Sequence, residues 1–382
     1  MKILIIANVF HNFGRSYGGG GDLIIKKTFN KNTFSNFDID LLSNKDGLKY
    51  YSEDICFNKS FLIPNFILKL PILISYLFRS FYALRYIKEF NNYNLIYLSS
   101  DFIPDVLPIF IHKIFLKKKF KLISSVFHLY EGLLTRKSSL IYNYIGFKCQ
   151  RFSFMIIRTV SDKTMVINND VKNKLINKFS FDTNKVFLNY PGIDIIKTKK
   201  KYKKEKYFLY VGRIAKTKGI DDLVHIIENL KKIYQITYNL KLVGSGDPEY
   251  LKELNIKIKK LDISNQIEFL GFVEDFKKFE LLEGCLAMIM PSHEEGFSII
   301  IGEALGVGVP VIAWDLEIYK EVYENNLFYS KSFDNLEMSK KIYDLIINKS
   351  LRESKIENGV NFVKKYNWDY FSKIIYNNYL SI

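Results

Sequence analysis

Short apolar runs alternate with longer amphipathic stretches along the whole chain. In the first half the apolar runs predict buried strands at residues 2–7, 39–42, 95–99, 121–126 and 155–160. In the second half they predict strands near residue 207 and at 240–243, 267–270, 287–290 and 309–313. Strands that alternate with helix-length segments are typical of doubly wound parallel sheets, so the pattern predicts an α/β protein.

A charged stretch at residues 197–206 separates the two halves of the pattern. It has the composition of a solvated linker, and a chain of 382 residues is longer than one hydrophobic core usually fills. We therefore predict two domains, an N-terminal one at residues 1–195 and a C-terminal one at 196–366.

The chain is basic, because 56 Lys and Arg against 40 Asp and Glu give a net charge of +16. Such a charge points to nucleic acid or an anionic membrane surface as a partner. No helix-turn-helix or RNA-binding aromatic pattern accompanies the lysines, which disfavours nucleic acid. Segment 61–90 is apolar, but Lys69, Pro71 and Arg79 interrupt it before it could span a bilayer. Two alternatives stay open for this segment: an amphipathic helix packed on its own sheet, or an interfacial helix.

Three widely separated cysteines, Cys56, Cys149 and Cys285, form neither a disulfide framework nor a zinc motif. This usage fits a reducing compartment. The first residues predict a buried strand followed by a polar loop rather than a signal peptide. We therefore expect a cytoplasmic protein, with peripheral attachment to the cytoplasmic face of a membrane as an option.

Two basic side chains, Arg213 and Lys218, lie on a predicted loop between the strand near residue 207 and a helix that begins near residue 221. Fixed cations at the carboxyl end of a parallel strand suit the two phosphates of a nucleoside diphosphate. Ordinary solvated loop charge is the alternative for this pair taken alone.

Two glutamates, Glu295 and Glu303, stand eight positions apart on a predicted turn and in the helix that follows it. Gly296 lets the backbone turn tightly, and the N–H groups at the helix start face an anion. The carboxylates can accept hydrogen bonds from sugar and ribose hydroxyls. Alone, the two glutamates could simply stabilise a helix terminus. Their order and distance after Arg213 and Lys218 favour a binding site.

These residues closely resemble the retaining glycosyltransferases of family 4, the glycosyl transferases group 1, which have the GT-B fold. The matching motifs are G-R-x4-K-G at 212–219, E-x7-E at 295–303 and G-x-P-V-I at 308–312. The resemblance implies two Rossmann-like doubly wound parallel-sheet domains facing a central cleft. It also implies that the N-terminal domain binds the acceptor, that the C-terminal domain binds the nucleotide sugar, and that a final helix at 367–382 crosses back to the first domain.

The resemblance further implies roles for individual residues. Arg213, Lys218 and Glu295 are its catalytic candidates, together with His128, which ends a strand where the family has a histidine facing the transferred sugar. A structural histidine is the alternative at that position. The donor-binding residues that the resemblance implies are Gly18, Gly19, Gly20, Gly212, Arg213, Lys218, Gly244, Gly246, Phe272, Val273, Glu295, Gly296, Phe297, Ser298 and Glu303.

The function that the resemblance implies is transfer of a sugar from a UDP- or GDP-sugar with retention at the anomeric carbon. The expected acceptor is a sugar or a lipid-linked glycan of envelope, polysaccharide or glycolipid synthesis. No cofactor is expected beside the donor. No metal is expected either, because the triplet Asp38-Ile39-Asp40 lies at a strand edge. The alternatives are a nucleotide-sugar epimerase or hydrolase of the same fold, and a non-catalytic nucleotide-sugar-binding or membrane-binding protein.

Overall fold

The computed structural model describes residues 1–10, 19–30, 33–116, 120–129, 140–196 and 206–382. The chain divides into two compact units. Unit 1 comprises Met1–Gly192 together with Asn367–Ile382, and unit 2 comprises Ile193–Tyr366. Each unit has one parallel β-sheet covered by helices.

Unit 1 contains a seven-stranded sheet in the order β3-β2-β1-β4-β5-β6-β7. Its strands are β1 (Lys2–Ile6), β2 (Asp38–Asn44), β3 (Lys59–Ile63), β4 (Leu95–Leu98), β5 (Lys121–Val126), β6 (Lys163–Val166) and β7 (Val186–Leu188). Its α-helices are α1 (Gly20–Thr28), α2 (Lys45–Tyr51), α3 (Asn65–Leu68), α4 (Ile72–Ala83), α5 (Ile103–Phe115), α6 (Leu140–Val160), α7 (Asn169–Phe179) and α15 (Trp368–Leu380). The central strands are continuous apolar runs because both faces of the sheet are covered.

Unit 2 repeats this arrangement with a six-stranded sheet in the order β10-β9-β8-β11-β12-β13. Its strands are β8 (Tyr207–Val211), β9 (Asn239–Val243), β10 (Ile267–Gly271), β11 (Ala287–Met290), β12 (Val311–Trp314) and β13 (Phe328–Ser330). Its α-helices are α8 (Ile220–Tyr234), α9 (Pro248–Lys260), α10 (Asp275–Gly284), α11 (Ile299–Gly306), α12 (Glu317–Tyr323), α13 (Asn335–Ile347) and α14 (Lys349–Phe362). Both sheets have the strand order of the Rossmann fold. In each sheet the second and third strands lie on one side of the first strand, and the later strands lie on its other side. The predicted pair of parallel sheets is confirmed.

One predicted strand is wrong. Residues 155–160 form the last turns of α6 instead of a strand, and the strand of this region, β6, begins three residues later. Phe154 and Ile157 are buried at helical spacing while Met155 is exposed, which is the periodicity of a helix face. A six-residue run that is mostly apolar does not by itself distinguish the end of a helix from a strand.

The outer face of α4 is apolar and its inner face is polar. Ile74, Leu77, Phe78 and Phe81 are exposed, whereas Arg79 is fully buried. The Arg79 guanidinium donates hydrogen bonds to the backbone carbonyl oxygens of residues 8 and 10, at 3.0 and 3.3 Å, which hold the side chain inside unit 1. Arg79 therefore does not interrupt the exposed apolar surface of this helix, although the sequence suggested that it would.

Candidate functional site

The candidate site of unit 2 lies at the carboxyl edge of its sheet. Strands β8 and β11 are neighbours in the centre of this sheet. After β8 the next strand, β9, is added on one side of this pair, and after β11 the next strand, β12, is added on the other side. The loops that follow β8 and β11 leave the sheet at this topological switch point, where open α/β sheets bind their ligands. Lys218 and Glu295 lie on these two loops.

The Lys218 ammonium meets the Glu295 carboxylate in an ion pair. Lys218 Nζ lies 2.8 Å from Glu295 Oε1 and also donates to the Glu294 carbonyl oxygen at 3.1 Å. The two side chains are only 15 and 13% exposed. An ion pair with so little exposure is weakly screened by solvent, so each partner holds the other in one position.

Further contacts fasten the same two loops together. The His293 N–H donates to the Thr217 carbonyl oxygen at 3.0 Å, and His293 Nε2 lies 2.7 Å from Asp222 Oδ2. Gly219 has a φ of +69°, and a Cβ placed on it would lie 1.9 Å from the Pro291 carbonyl oxygen. The two loops therefore approach so closely that only glycine fits at position 219.

The loop after β9 joins the loop after β8 through its glycines. The Gly212 N–H donates to the carbonyl oxygen of residue 243 at 2.9 Å, and Gly246 pairs with Ile214 in an isolated bridge. Gly244 has a φ of +134°, and a Cβ placed on it would lie 1.8 Å from the Gly212 carbonyl oxygen. The predicted donor residues Gly212, Gly244 and Gly246 thus lie together at one edge of the sheet.

Phe272 and Val273 follow β10, beside the loop after β9. The Gly244 N–H donates to the Gly271 carbonyl oxygen at 2.7 Å, which joins this third loop to the others. The Phe272 side chain is 47% exposed, so it is not a core residue. Aromatic rings can stack on nucleotide bases, and contact of Phe272 with the donor base stays a prediction.

Glu303 is held by a lysine that the sequence motifs did not indicate. Lys278, on α10, places its Nζ 3.0 Å from Glu303 Oε1 and 2.8 Å from Oε2. The same Nζ lies 3.0 Å from Asp275 Oδ1. Glu303 is 3% exposed, and burial raises its pKa to about 7 while Lys278 acts in the opposite direction. In this structure both Glu303 oxygens therefore face Lys278.

The Arg213 side chain is exposed, unlike those of Lys218 and Glu303. Its backbone is fixed, because the Tyr210 hydroxyl donates to the Arg213 carbonyl oxygen at 2.9 Å. An anchored backbone with an exposed guanidinium lets the side chain reach toward an anion. Its contact with a diphosphate stays a prediction.

The segment Gly296, Phe297 and Ser298 leads from Glu295 into α11. The Phe297 ring is buried, with its centroid 5.5 Å from that of Tyr366. Ser298 has a φ of +66°, and its carbonyl oxygen accepts a hydrogen bond from the Tyr323 hydroxyl at 2.8 Å. The Phe297 side chain therefore belongs to the core.

The predicted residues of unit 1 lie at the carboxyl edge of its own sheet. Gly19 and Gly20 begin α1, where the Gly19 N–H donates to Asp22 Oδ2 at 2.8 Å. His128 follows β5, and the Gln150 amide donates at 2.8 Å both to the His128 carbonyl oxygen and to Asp101. Burial raises the pKa of the Asp101 carboxyl to about 6. Gly18 lies outside the described residues.

Sequence reasoning missed Lys278 although a signal was present. Lys278 precedes Leu281 and Leu282 by three and four positions, so helical spacing places it on their buried face of α10. A lysine on a buried face requires an acidic partner, and the partner here is Glu303. In the part of the chain that the structure describes, no three His, Cys, Asp or Glu side chains are grouped as a metal site.

Two parallel-sheet units, each with the Rossmann strand order, define the class of the protein as GT-B. The solved structure of Anabaena HepE in complex with UDP-glucose has this fold, with a TM-score of 0.74 and 17% identity over 100% of both chains. Residues 193–362 match the family model described as glycosyl transferases group 1, which covers nearly all of unit 2. The family resemblance stated from the sequence is thereby supported for unit 2.

Two relatives match a larger part of the chain. An uncharacterized glycosyltransferase of Methanocaldococcus jannaschii is 30% identical over 225 residues, which are 57% of this chain and 59% of the relative. The O-antigen chain mannosyltransferase RfbU of Salmonella typhimurium is 27% identical over 229 residues, which are 59% of this chain and 62% of the relative. The matches thus span about three fifths of the length of these curated relatives.

Proposed function

We propose that the protein is a glycosyltransferase that moves a sugar from a UDP- or GDP-sugar to an acceptor with retention of anomeric configuration and without a metal ion. The observation that carries the proposal is the Lys218–Glu295 ion pair at the switch point between β8 and β11. It combines a cation suited to a leaving diphosphate with a carboxylate suited to sugar hydroxyls. In this proposal unit 2 binds the donor and unit 1 binds the acceptor.

The proposed step is a front-face displacement. The bond from the anomeric carbon to the diphosphate oxygen breaks, and a bond to the acceptor oxygen forms on the same face. The acceptor proton passes to an oxygen of the leaving phosphate. Lys218 and Arg213 bind the charge that develops on the diphosphate, Glu295 orients the sugar, and Glu303 accepts from the ribose hydroxyls.

A thermal-shift panel of UDP-, GDP- and ADP-sugars tests the donor site. We expect one nucleotide class to raise the melting temperature, because a ligand at a hundredfold excess over its Kd stabilises the folded state by about 2.7 kcal/mol. The shift should be lost in a Lys218→Ala variant with the same ligand. A panel in which no nucleotide sugar raises the melting temperature contradicts the proposal.

Analysis of the products separates the proposed transfer from its alternatives. With donor and acceptor present, the anomeric carbon of the product should have the same configuration as that of the donor, as determined from the one-bond C1–H1 coupling constant. Free sugar as the sole product would identify a hydrolase, and an epimerised nucleotide sugar would identify an epimerase. RfbU acts as an O-antigen chain mannosyltransferase. We accordingly propose lipid-linked envelope glycans as the first acceptors to test.

We also propose that unit 1 docks on an anionic membrane surface through α4. Its outer face exposes Leu77, Phe78 and Phe81, and the exposed Lys69 and Arg85 lie close to its two ends. This combination of apolar and basic groups suits an interfacial helix on acidic lipids. Within the described ranges, none of the helices has both the length and the apolar character needed to cross a bilayer.

Sedimentation with vesicles tests the membrane proposal. A double variant Phe78→Ser and Phe81→Ser should bind vesicles of phosphatidylglycerol and phosphatidylcholine at least about tenfold more weakly. The reason is that the variant lacks the two aromatic rings that would insert into the lipid interface. Both rings are more than half exposed, so the variant should keep its fold. Ile256→Ser in unit 2, at a position 69% exposed, is the control and should bind like the original chain. Equal binding by the double variant and the control contradicts the proposal.

A further inference from the structure

Lys278 is the feature of unit 2 that the proposed roles leave unexplained. It is a lysine on the buried side of α10, and its side chain is only 15% exposed. Its helix begins directly after the loop that holds Phe272 and Val273. Lys278 therefore connects the helix that follows the loop predicted to contact the donor base with Glu303, the residue proposed to contact the ribose.

The three carboxylate oxygens around Lys278 are not equivalent. Both oxygens of Glu303, a residue 3% exposed, lie within 3.0 Å of Nζ. The third oxygen belongs to Asp275, whose side chain is 79% exposed. An ion pair with an exposed partner contributes little stability, whereas a buried one holds its geometry. The ion pair with Asp275 is therefore the one that a ligand can more easily replace, and the two contacts with Glu303 are the more stable ones.

This arrangement offers a ligand both a donor and an acceptor. If a ligand atom replaces Asp275, the Lys278 ammonium can donate to it. The Glu303 carboxylate has about four lone-pair positions, and Lys278 occupies two of them. A hydroxyl group both donates and accepts, so two neighbouring hydroxyls can bind Glu303 and Lys278 together.

We propose that Lys278 is a specificity-determining residue that, together with Glu303, recognises the vicinal hydroxyls of the donor ribose. The inference rests on the proposed function, since it requires a nucleotide donor. Lys278 has two proposed roles: it favours the ionised form of the Glu303 carboxylate and holds it in place, and it donates directly to a ribose hydroxyl. Glu303 has no other described cation within ion-pair distance, while Asp275 and Asp194 both disfavour its charged form.

The test compares UDP with 2′-deoxy-UDP, and in parallel GDP with 2′-deoxy-GDP, by isothermal titration calorimetry. For the base that binds, the original chain should bind the ribonucleotide about ten to a hundred times more tightly than the deoxynucleotide, since a hydrogen bond to charged groups is lost. In Lys278→Met the ratio should fall at least about fivefold. With the nucleotide sugar as substrate, the donor KM should rise while kcat stays within a few-fold.

Lys277→Met is the matched control. Lys277 is the neighbouring residue on the same helix, its side chain is 59% exposed, and it pairs with Glu280 one turn further on. This variant should keep the ribonucleotide preference of the original chain. Asp275→Asn removes only the replaceable partner, so it should fold normally and keep or increase the preference. The Asp275→Asn variant therefore still tests the inference if Lys278→Met does not fold.

The outcomes separate this inference from the proposed function. If no nucleoside diphosphate binds the original chain, the proposed function fails. If nucleotides bind in a manner that depends on Lys218, but Lys278→Met keeps the full ribonucleotide preference, only the role of Lys278 is overturned. Loss of the ribonucleotide preference in Asp275→Asn would also overturn the role of Lys278, because the contact that Lys278 requires would then be the one with Asp275.

Discussion

Replacing Lys218 with alanine is expected to lower kcat for sugar transfer by about 10²–10³, equivalent to roughly 3–4 kcal/mol of transition-state stabilisation. The variant loses the cation proposed to bind the leaving diphosphate. It also leaves Glu295, whose side chain is 13% exposed, without the ammonium that lies 2.8 Å from its carboxylate. Single-turnover measurements with saturating donor and acceptor would measure the chemical step without the contribution of binding.

Lys216→Ala is the control for Lys218→Ala, because both residues belong to the same short 3₁₀ segment, Lys216–Lys218. Lys216 pairs with Glu253, whose side chain is 64% exposed, so its loss should change stability by less than about 1 kcal/mol. Its turnover should stay within about twofold of the original enzyme. Similar losses in the two variants would show that Lys218 has no special role.

The second large effect is expected from Gly219→Ala. Alanine disfavours the φ of +69° at this position, and its Cβ would lie 1.9 Å from the backbone carbonyl oxygen of Pro291. Left-handed backbone in a residue with a side chain costs about 1–3 kcal/mol, and the overlap must also be relieved by separating the loops after β8 and β11. Lys218 and Glu295 lie on those loops, so we expect both a lower melting temperature and loss of the donor-induced thermal shift.

Gly271→Ala separates the two causes of that effect. Gly271 has a φ of +67°, almost the same as Gly219, but a Cβ placed on it would meet nothing within 4 Å. The Gly271→Ala variant should therefore lose only the stability that corresponds to the left-handed backbone conformation. It should still show the donor-induced thermal shift. If Gly219→Ala were no more destabilised than Gly271→Ala and still bound the donor, close contact between the two loops would not be required.

The strands of unit 2 were largely predictable because each is a local apolar run with polar or glycine residues after it. Four of the five predicted there overlap closely with β8, β9, β10 and β11, and the fifth overlaps with β12. The short strands β3, β6, β7 and β13 were not predicted. They have only three to five residues, and runs of that length become strands through pairing with distant neighbours rather than through their own periodicity.

For the predicted site residues of unit 2, the sequence predicted the position of the backbone better than the direction of the side chains. Gly212, Gly244 and Gly246 lie together because loops after neighbouring parallel strands share one edge of the sheet. The direction in which a side chain points could not be predicted from the sequence. Phe297 lies within the predicted site but its ring is in the core, while Phe272, an equally apolar residue, is exposed. The direction of each ring depends on which neighbours fill the space beside it, and the sequence of the loop does not contain that information.

The sequence by itself determined the α/β class, most of the strands of the second sheet and the two motifs that carry lysine and glutamate, because these are properties of short stretches of chain. The tertiary structure decided which charges meet. Lys278 and Glu303 are 25 positions apart and on different helices, yet they form one buried ion pair. Arg79 is directed inward to backbone carbonyl groups 69 and 71 positions away. Burial makes an unpaired charge costly, so these partners are set by the packing of distant elements and not by local pattern.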